Sequence, residues 1–207
     1  MNNKIPFLLF LTALITSCQA PIADEKLPII GRFEMVGNDT IYHEIPAFNF
    51  VNQDSANVTN ENLDDYIYVA DFFFISCPSI CPKVKKQMLR IYDKYKDNPK
   101  LKLVSHTIDP ERDTPEKLKQ YASNLEVDTD KWIFLTGDKD SLFDMADEYF
   151  IVAFEDPDAP GGFDHSGKIL LVDTNRHIRS FGEGTDPEDI DRFLKDIDKL
   201  LGEYAQE

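Results

Sequence analysis

The stretch Cys77-Pro78-Ser79-Ile80-Cys81-Pro82 constrains this chain more than any other. It follows a run from Tyr66 to Ser76 that is apolar apart from Asp71 and Ser76, and it precedes a helical pattern. A buried strand, a loop and a helix are therefore expected to meet at one corner, with the thiols at the strand's end. Pro82 has no N–H and suits the first helical position, which puts Cys81 near the N-cap. Both sulfurs then face the positive end of a helix, where unpaired amides and the dipole favour the thiolate form of at least one cysteine. Thiolate is the form that attacks disulfides and binds soft metals.

The remaining pattern predicts one α/β domain. Leu27 to Phe50 reads as an irregular or hairpin-forming entry with turn composition at Gly37-Asn38-Asp39, and Asn52 to Asp65 as a polar loop. After the cysteines, Val84, Met88, Ile91, Tyr92 and Tyr95 recur at helical spacing. Leu101 to Ile108 is the next strand; Asp109, Glu111, Arg112 and Asp113 read as a turn and capping network before a helix through Ser123. Trp132 to Leu135 is a strand and Ser141 to Tyr149 a helix, followed by a loop from Phe154 to Asp164 rich in Asp, Pro and Gly. Lys168–Val172 and His177–Phe181 form a closing hairpin, and Asp186 to Tyr204 a final helix. Met88 and Met145 read as core filler. This order resembles a thioredoxin-like fold with an N-terminal extension and a closing hairpin and helix.

The N-terminus reads as a leader. Lys4 precedes an apolar run from Ile5 to Ile15, short for a membrane span but suited to a signal peptide, and Ile15-Thr16-Ser17-Cys18 resembles a bacterial lipobox. The expected division is a lipoprotein signal peptide at 1–17, a tether at 18–26 beginning with lipidated Cys18, and the domain at 27–207. An ordinary secretory signal cut near Ala20 is the alternative. Export would place the other two of the three cysteines, Cys77 and Cys81, in an oxidising compartment facing the periplasm or cell exterior. A structural disulfide closing so short a loop would stabilise little, which favours a reactive pair. Removing residues 1–17 takes one Lys from a chain of formal net charge −16 and leaves −17, a surface that repels nucleic acid.

Two cysteines can serve redox chemistry, metal binding or both. Of the four histidines, His165 stands in a loop just before the buried run Lys168–Val172, where a thioredoxin-like sheet brings it beside the Cys corner. Two thiolates and an imidazole suit Cu(I), and with an added oxygen Cu(II). Zinc would need a fourth ligand, for which Asp164 or water are the candidates. His43 and His177 read as ordinary hairpin residues, and His106 as a strand residue with a satisfied hydrogen bond. Asp71, inside an apolar strand, needs a partner or a raised pKa, and a role in proton transfer near the thiols is one reading.

Three motifs in order, Cys77-Pro-Ser-Ile-Cys-Pro82, Ser105-His-Thr-Ile-Asp-Pro-Glu-Arg-Asp-Thr-Pro115 and Asp164-His-Ser166 before Leu170-Leu-Val-Asp173, resemble the Sco/SenC family across roughly residues 45–204. The resemblance implies a membrane-anchored, thioredoxin-like metallochaperone with Cys77, Cys81 and His165 as copper ligands. It also implies a role in assembling the dinuclear copper site of cytochrome c oxidase subunit II, or another exported copper protein. Here a lipid on Cys18 would replace the transmembrane anchor of many relatives. His106 falls where many relatives carry an apolar or small residue.

An enzyme is the competing class: a thiol-disulfide oxidoreductase in which Cys77 attacks a partner disulfide and Cys81 resolves it. Such enzymes usually carry a cis-proline before the strand facing their cysteines, where this chain has Asp164-His165-Ser166. That difference tilts the reading toward metal. A peroxidase has weaker support, and a redox or copper sensor acting through protein contacts is the third class.

Overall fold

The computed structural model describes residues 26–205. The expected signal peptide, Cys18 and all of the tether but Lys26 lie outside the described residues. Among the described residues no helix is long and apolar enough to cross a membrane.

Strands β1 (Phe33–Val36) and β2 (Asp39–Tyr42) pair as an exposed hairpin, as the Gly37-centred turn predicts. Strands β3 (Asn49–Asn52) and β4 (Asn57–Thr59) follow, then a 3-10 turn at Asn60–Asn62 and β5 (Ile67–Phe73). Helix α1 (Cys81–Tyr95) leads to β6 (Leu101–Thr107), α2 (Pro115–Leu125), β7 (Trp132–Thr136) and α3 (Lys139–Glu148). The chain closes with β8 (Ala153–Glu155), β9 (Phe163–His165), β10 (Lys168–Val172), β11 (Ile178–Glu183) and α4 (Pro187–Tyr204). The main sheet runs β11-β10-β5-β6-β7-β3-β4, with β5, β6 and β7 parallel and the other pairings antiparallel.

Strand β5 is buried at every residue, as a near-continuous apolar run covered on both faces must be. Its neighbour α1 buries Val84, Met88, Ile91, Tyr92 and Tyr95, the stripe expected from their spacing. Thr114, Asp138 and Asp186 cap α2, α3 and α4 by accepting from Lys117, Ser141 and Glu188 amides, and proline follows two of these caps. Helix α4 presses Ile190 and Phe193 so closely on β11 that a Cβ on Gly182 would lie 2.8 Å from Ile190. Met88 and Met145 are core residues, as expected.

The structure departs from the sequence reading most clearly at three places. The polar stretch 52–65 contains β4 and the 3-10 turn, because Val58 and Leu63 are buried and draw it onto the core. The loop expected at 154–164 is a turn flanked by the paired strands β8 and β9. Helix α1 begins at Cys81 with Ile80 as N-cap, which makes Pro82 the second helical residue. Proline's missing N–H is harmless there too, since the amides of the whole first turn lack intrahelical partners.

Candidate metal centre

The strand-loop-helix corner forms where β5 ends. The Ile75 amide donates to Asp113 Oδ2 at 3.0 Å, and the same oxygen accepts the Thr107 hydroxyl at 2.7 Å, joining the ends of β5 and β6. The Cys77 amide turns back to the Phe74 carbonyl at 3.2 Å, and the chain enters α1 at Cys81. Both thiols are free and buried, 7 % and 8 % exposed.

His165 reaches the same place from β9. Its Nε2 lies 3.3 Å from Cys81 Sγ and 3.9 Å from Cys77 Sγ, and the three ligand-type atoms all fall within 4.8 Å of one another. Its Nδ1 lies 3.2 Å from the Ser166 carbonyl oxygen, which can only accept. Nδ1 therefore carries the proton and Nε2 turns its lone pair toward the sulfurs, the tautomer a metal-binding imidazole requires. Phe74 packs its ring against both His165 and Phe163, at 5.6 and 5.2 Å between centroids, and closes the site on its apolar side.

The two thiols differ in acidity. Burial pushes the Cys77 thiol up, but hydrogen bonds, led by those from the Ser79 hydroxyl and Cys81, outweigh it and bring its pKa down to about 6. Burial pushes Cys81 well up, and the adjacent Cys77 reinforces this. One sulfur is thus a ready thiolate and the other a thiol that gives up its proton to a strong acceptor.

Two sulfurs and one imidazole are a soft donor set that fits copper and has little affinity for hard, oxygen-seeking cations. Among the described residues no carboxylate joins the group. Asp164, the sequence candidate for a fourth ligand, is exposed between buried Phe163 and His165, so strand alternation turns it to the other side.

The remaining candidates are distributed as follows. Asp109, Arg112 and Asp113 form the expected turn network: Asp109 and Asp113 are buried, Arg112 pairs with Asp109, and Glu111 stands outside at 78 % exposed. His43 faces the Glu148 carbonyl at 2.9 Å and His177 lies 3.7 Å from Asp173, and neither joins the group of Cys77, Cys81 and His165. Asp71 has a partner in the Ser105 hydroxyl and, through burial, a pKa raised to about 7. His106 corrects the sequence reading: it lies in β6, but neither ring nitrogen has a hydrogen-bond partner, because aromatic rings of Phe48, Phe50, Phe72 and Tyr149 surround it. Sequence reasoning missed Ser79, whose only signal was its place between the cysteines, and the Arg112–Gly161 contact, which had none.

The SCO1/SenC family profile matches residues 38–202. The SCO1 protein homolog of Bacillus subtilis (strain 168) is 30 % identical over 161 residues, which are 77 % of this chain and 83 % of the relative. The solved structure of BsSco, described as a member of the Sco family of cytochrome c oxidase assembly proteins with a disulfide switch, matches with TM-score 0.66 at 30 % identity, over 76 % of this chain and 93 % of that one. Arabidopsis thaliana ScoI, solved with copper bound, matches with TM-score 0.65 at 25 % identity, over 77 % and 98 % of the two chains. With this likeness the fold is thioredoxin-like, as its element order predicted, and the chain belongs to the SCO1/SenC family.

Proposed function

We propose that this protein is a copper metallochaperone in which Cys77, Cys81 and His165 hold copper as cargo. The observation that carries the reading is the convergence of the three donor atoms within 4.8 Å, with the imidazole lone pair directed at the sulfurs. Burial holds the Cys81 thiol protonated in the metal-free site, so binding Cu(I) as a thiolate there requires that thiol to give up its proton. The sulfurs are buried, and exposed Pro78 and Ser79 form a rim through which an acceptor can approach.

The acceptor we infer is the dinuclear copper site of cytochrome c oxidase subunit II or another exported copper protein, supported by the description of BsSco as belonging to an assembly family. The leader at 1–17 and a lipid on Cys18 would anchor the domain to the membrane on the periplasmic or outer side. The copper bound to Arabidopsis ScoI supports the choice of metal.

Anaerobic Cu(I) titration of the reduced full-length chain tests this reading. One-to-one binding that is lost in Cys77→Ser/Cys81→Ser and weakened in His165→Ala supports it. Binding no better than that of the variants, together with ready disulfide exchange, replaces it with thiol-disulfide exchange through the same pair. Mass spectrometry of the membrane-extracted protein tests the anchor: an N-terminal diacylglyceryl-Cys18 supports it, and a free N-terminus beyond Cys18 removes it.

A further inference from the structure

We propose that Arg112 is a positioning residue for this site: it holds the hairpin that carries His165 against the corner that carries the cysteines. The consequence for metal affinity rests on the copper reading above. The mechanical claim does not.

The hairpin needs such a tie. Strands β8 and β9 are three residues each and form a two-stranded sheet of their own, separate from the seven-stranded sheet that carries the Cys corner. An isolated pair of strands is marginal in water and takes its position from what it docks against. His165 is the last residue of β9, so any drift of this hairpin carries Nε2 away from the sulfurs.

Arg112 spans the gap with three contacts at once. Its Nε pairs with the Asp109 carboxylate, its Nη2 donates to the Gly161 carbonyl at 2.8 Å, and its guanidinium carbon lies 5.6 Å from the centroid of the Phe163 ring. The first contact belongs to the Cys side. Asp109 is buried, its amide donates to the Thr107 hydroxyl at 3.0 Å, and Thr107 shares Asp113 with the Ile75 amide just ahead of Cys77. The other two contacts belong to the His side, since Gly161 and Phe163 lead directly into His165. At the same point Gly161, at φ +90°, approaches Phe74 so closely that a Cβ would stand 2.7 Å from its ring, so the backbone that Arg112 holds lies directly against the Cys corner. A planar fork that serves a carboxylate, a carbonyl and a ring together is a task for arginine, and lysine's point charge cannot reproduce it.

The test uses the full-length chain with Arg112→Ala and Arg112→Lys, the second keeping a cation beside buried Asp109 so that the fold is preserved. In the metal-free protein, hydrogen exchange at the Gly162 and Ser166 amides, which donate to Ala159 and Val152, should accelerate in both variants while the Val84 amide of α1 stays protected. Cu(I) affinity should fall roughly 10-fold to 100-fold, the range for groups that orient a ligand. Added to His165→Ala, neither Arg112 variant should lower affinity further, and the nitrogen shell in copper X-ray absorption should weaken while the sulfur shell remains. Unchanged exchange at Gly162 and Ser166 overturns the proposal, as does an Arg112 effect that adds in full to His165→Ala. Accelerated exchange in a protein that binds no Cu(I) sustains the strut and removes the copper reading alone.

Discussion

Ser105 donates its hydroxyl to the Asp71 carboxylate across the parallel pairing of β5 and β6, and the same hydroxyl accepts the Trp132 indole N–H at 2.8 Å. The carboxyl is thus partnered but not charge-balanced, and burial raises its pKa from 3.8 to about 7. A raised folded pKa means that the native state keeps a proton the unfolded chain has lost. The group's contribution to stability is full below about pH 4 and disappears as pH rises to about 7. Asp71→Asn fixes the neutral form, so its stability relative to wild type should climb across that window, by on the order of 4 kcal/mol at most. Urea unfolding at a series of pH values reads the difference, and a difference constant with pH refutes it. If the variant also leaves Cys77 alkylation unchanged, Asp71 has no part in proton transfer to the thiols.

One register position along, His106 pairs with Phe72 and stacks on its ring at 4.8 Å, with both nitrogens unpartnered. Burial lowers its pKa from 6.5 to about 3, so the opposite sign applies: its contribution is present above about pH 6.5 and lost as pH falls toward 3. His106→Phe removes two unsatisfied polar atoms from an aromatic box. It should stabilise the protein by about 1–3 kcal/mol near neutral pH, with the gain growing on acidification. Destabilisation at neutral pH would mean that the box is filled to the limit by imidazole.

The acidity difference at the site is open to direct measurement. Cys77 should alkylate with iodoacetamide at a rate that is half-maximal near its pKa of about 6, with Cys81 unreacted throughout, as located by peptide mass spectrometry. Ser79→Ala removes a hydroxyl 3.5 Å from Cys77 Sγ and should move the half-point upward. Equal reactivity of both thiols with a half-point near the ordinary thiol value of about 8.5 would contradict this account.

How legible these features were depends on whether their cause is local. The Cys corner was readable because an apolar run, two prolines and a helical stripe each constrain their own few residues, and His165 because it lies next to a strand that the pattern exposes. The start of α1 was misplaced by one residue, since proline is tolerated throughout the first turn. Strands β8 and β9 were invisible because three residues carry no period, and the Asp, Pro and Gly between them do form the turn that composition indicates. His106 and Arg112 were beyond reach for a different reason. A ring's hydrogen-bond partners and a guanidinium's reach to Gly161, 49 positions away, exist only once the sheet has assembled.

Stability and site geometry should separate at Arg179. This side chain is 8 % exposed, and it pairs with Asp173 Oδ2 at 3.0 Å and Glu203 Oε2 at 2.9 Å while donating to the Pro28 carbonyl at 3.2 Å. Glu203 also accepts the Leu27 amide at 2.6 Å, so the pair clamps the incoming chain onto α4. Arg179→Ala strips the cation from two carboxylates that are 2 % and 10 % exposed, and breaking a buried pair from one side costs about 3–5 kcal/mol. The clamp stands beyond the Val172 end of β10, whereas His165 precedes its Lys168 end. Arg179→Ala should therefore lower the urea midpoint and release the Leu27 amide to exchange, yet leave the pH profile of Cys77 alkylation where it was. A shifted alkylation profile would show that the clamp and the thiol site are coupled through β10.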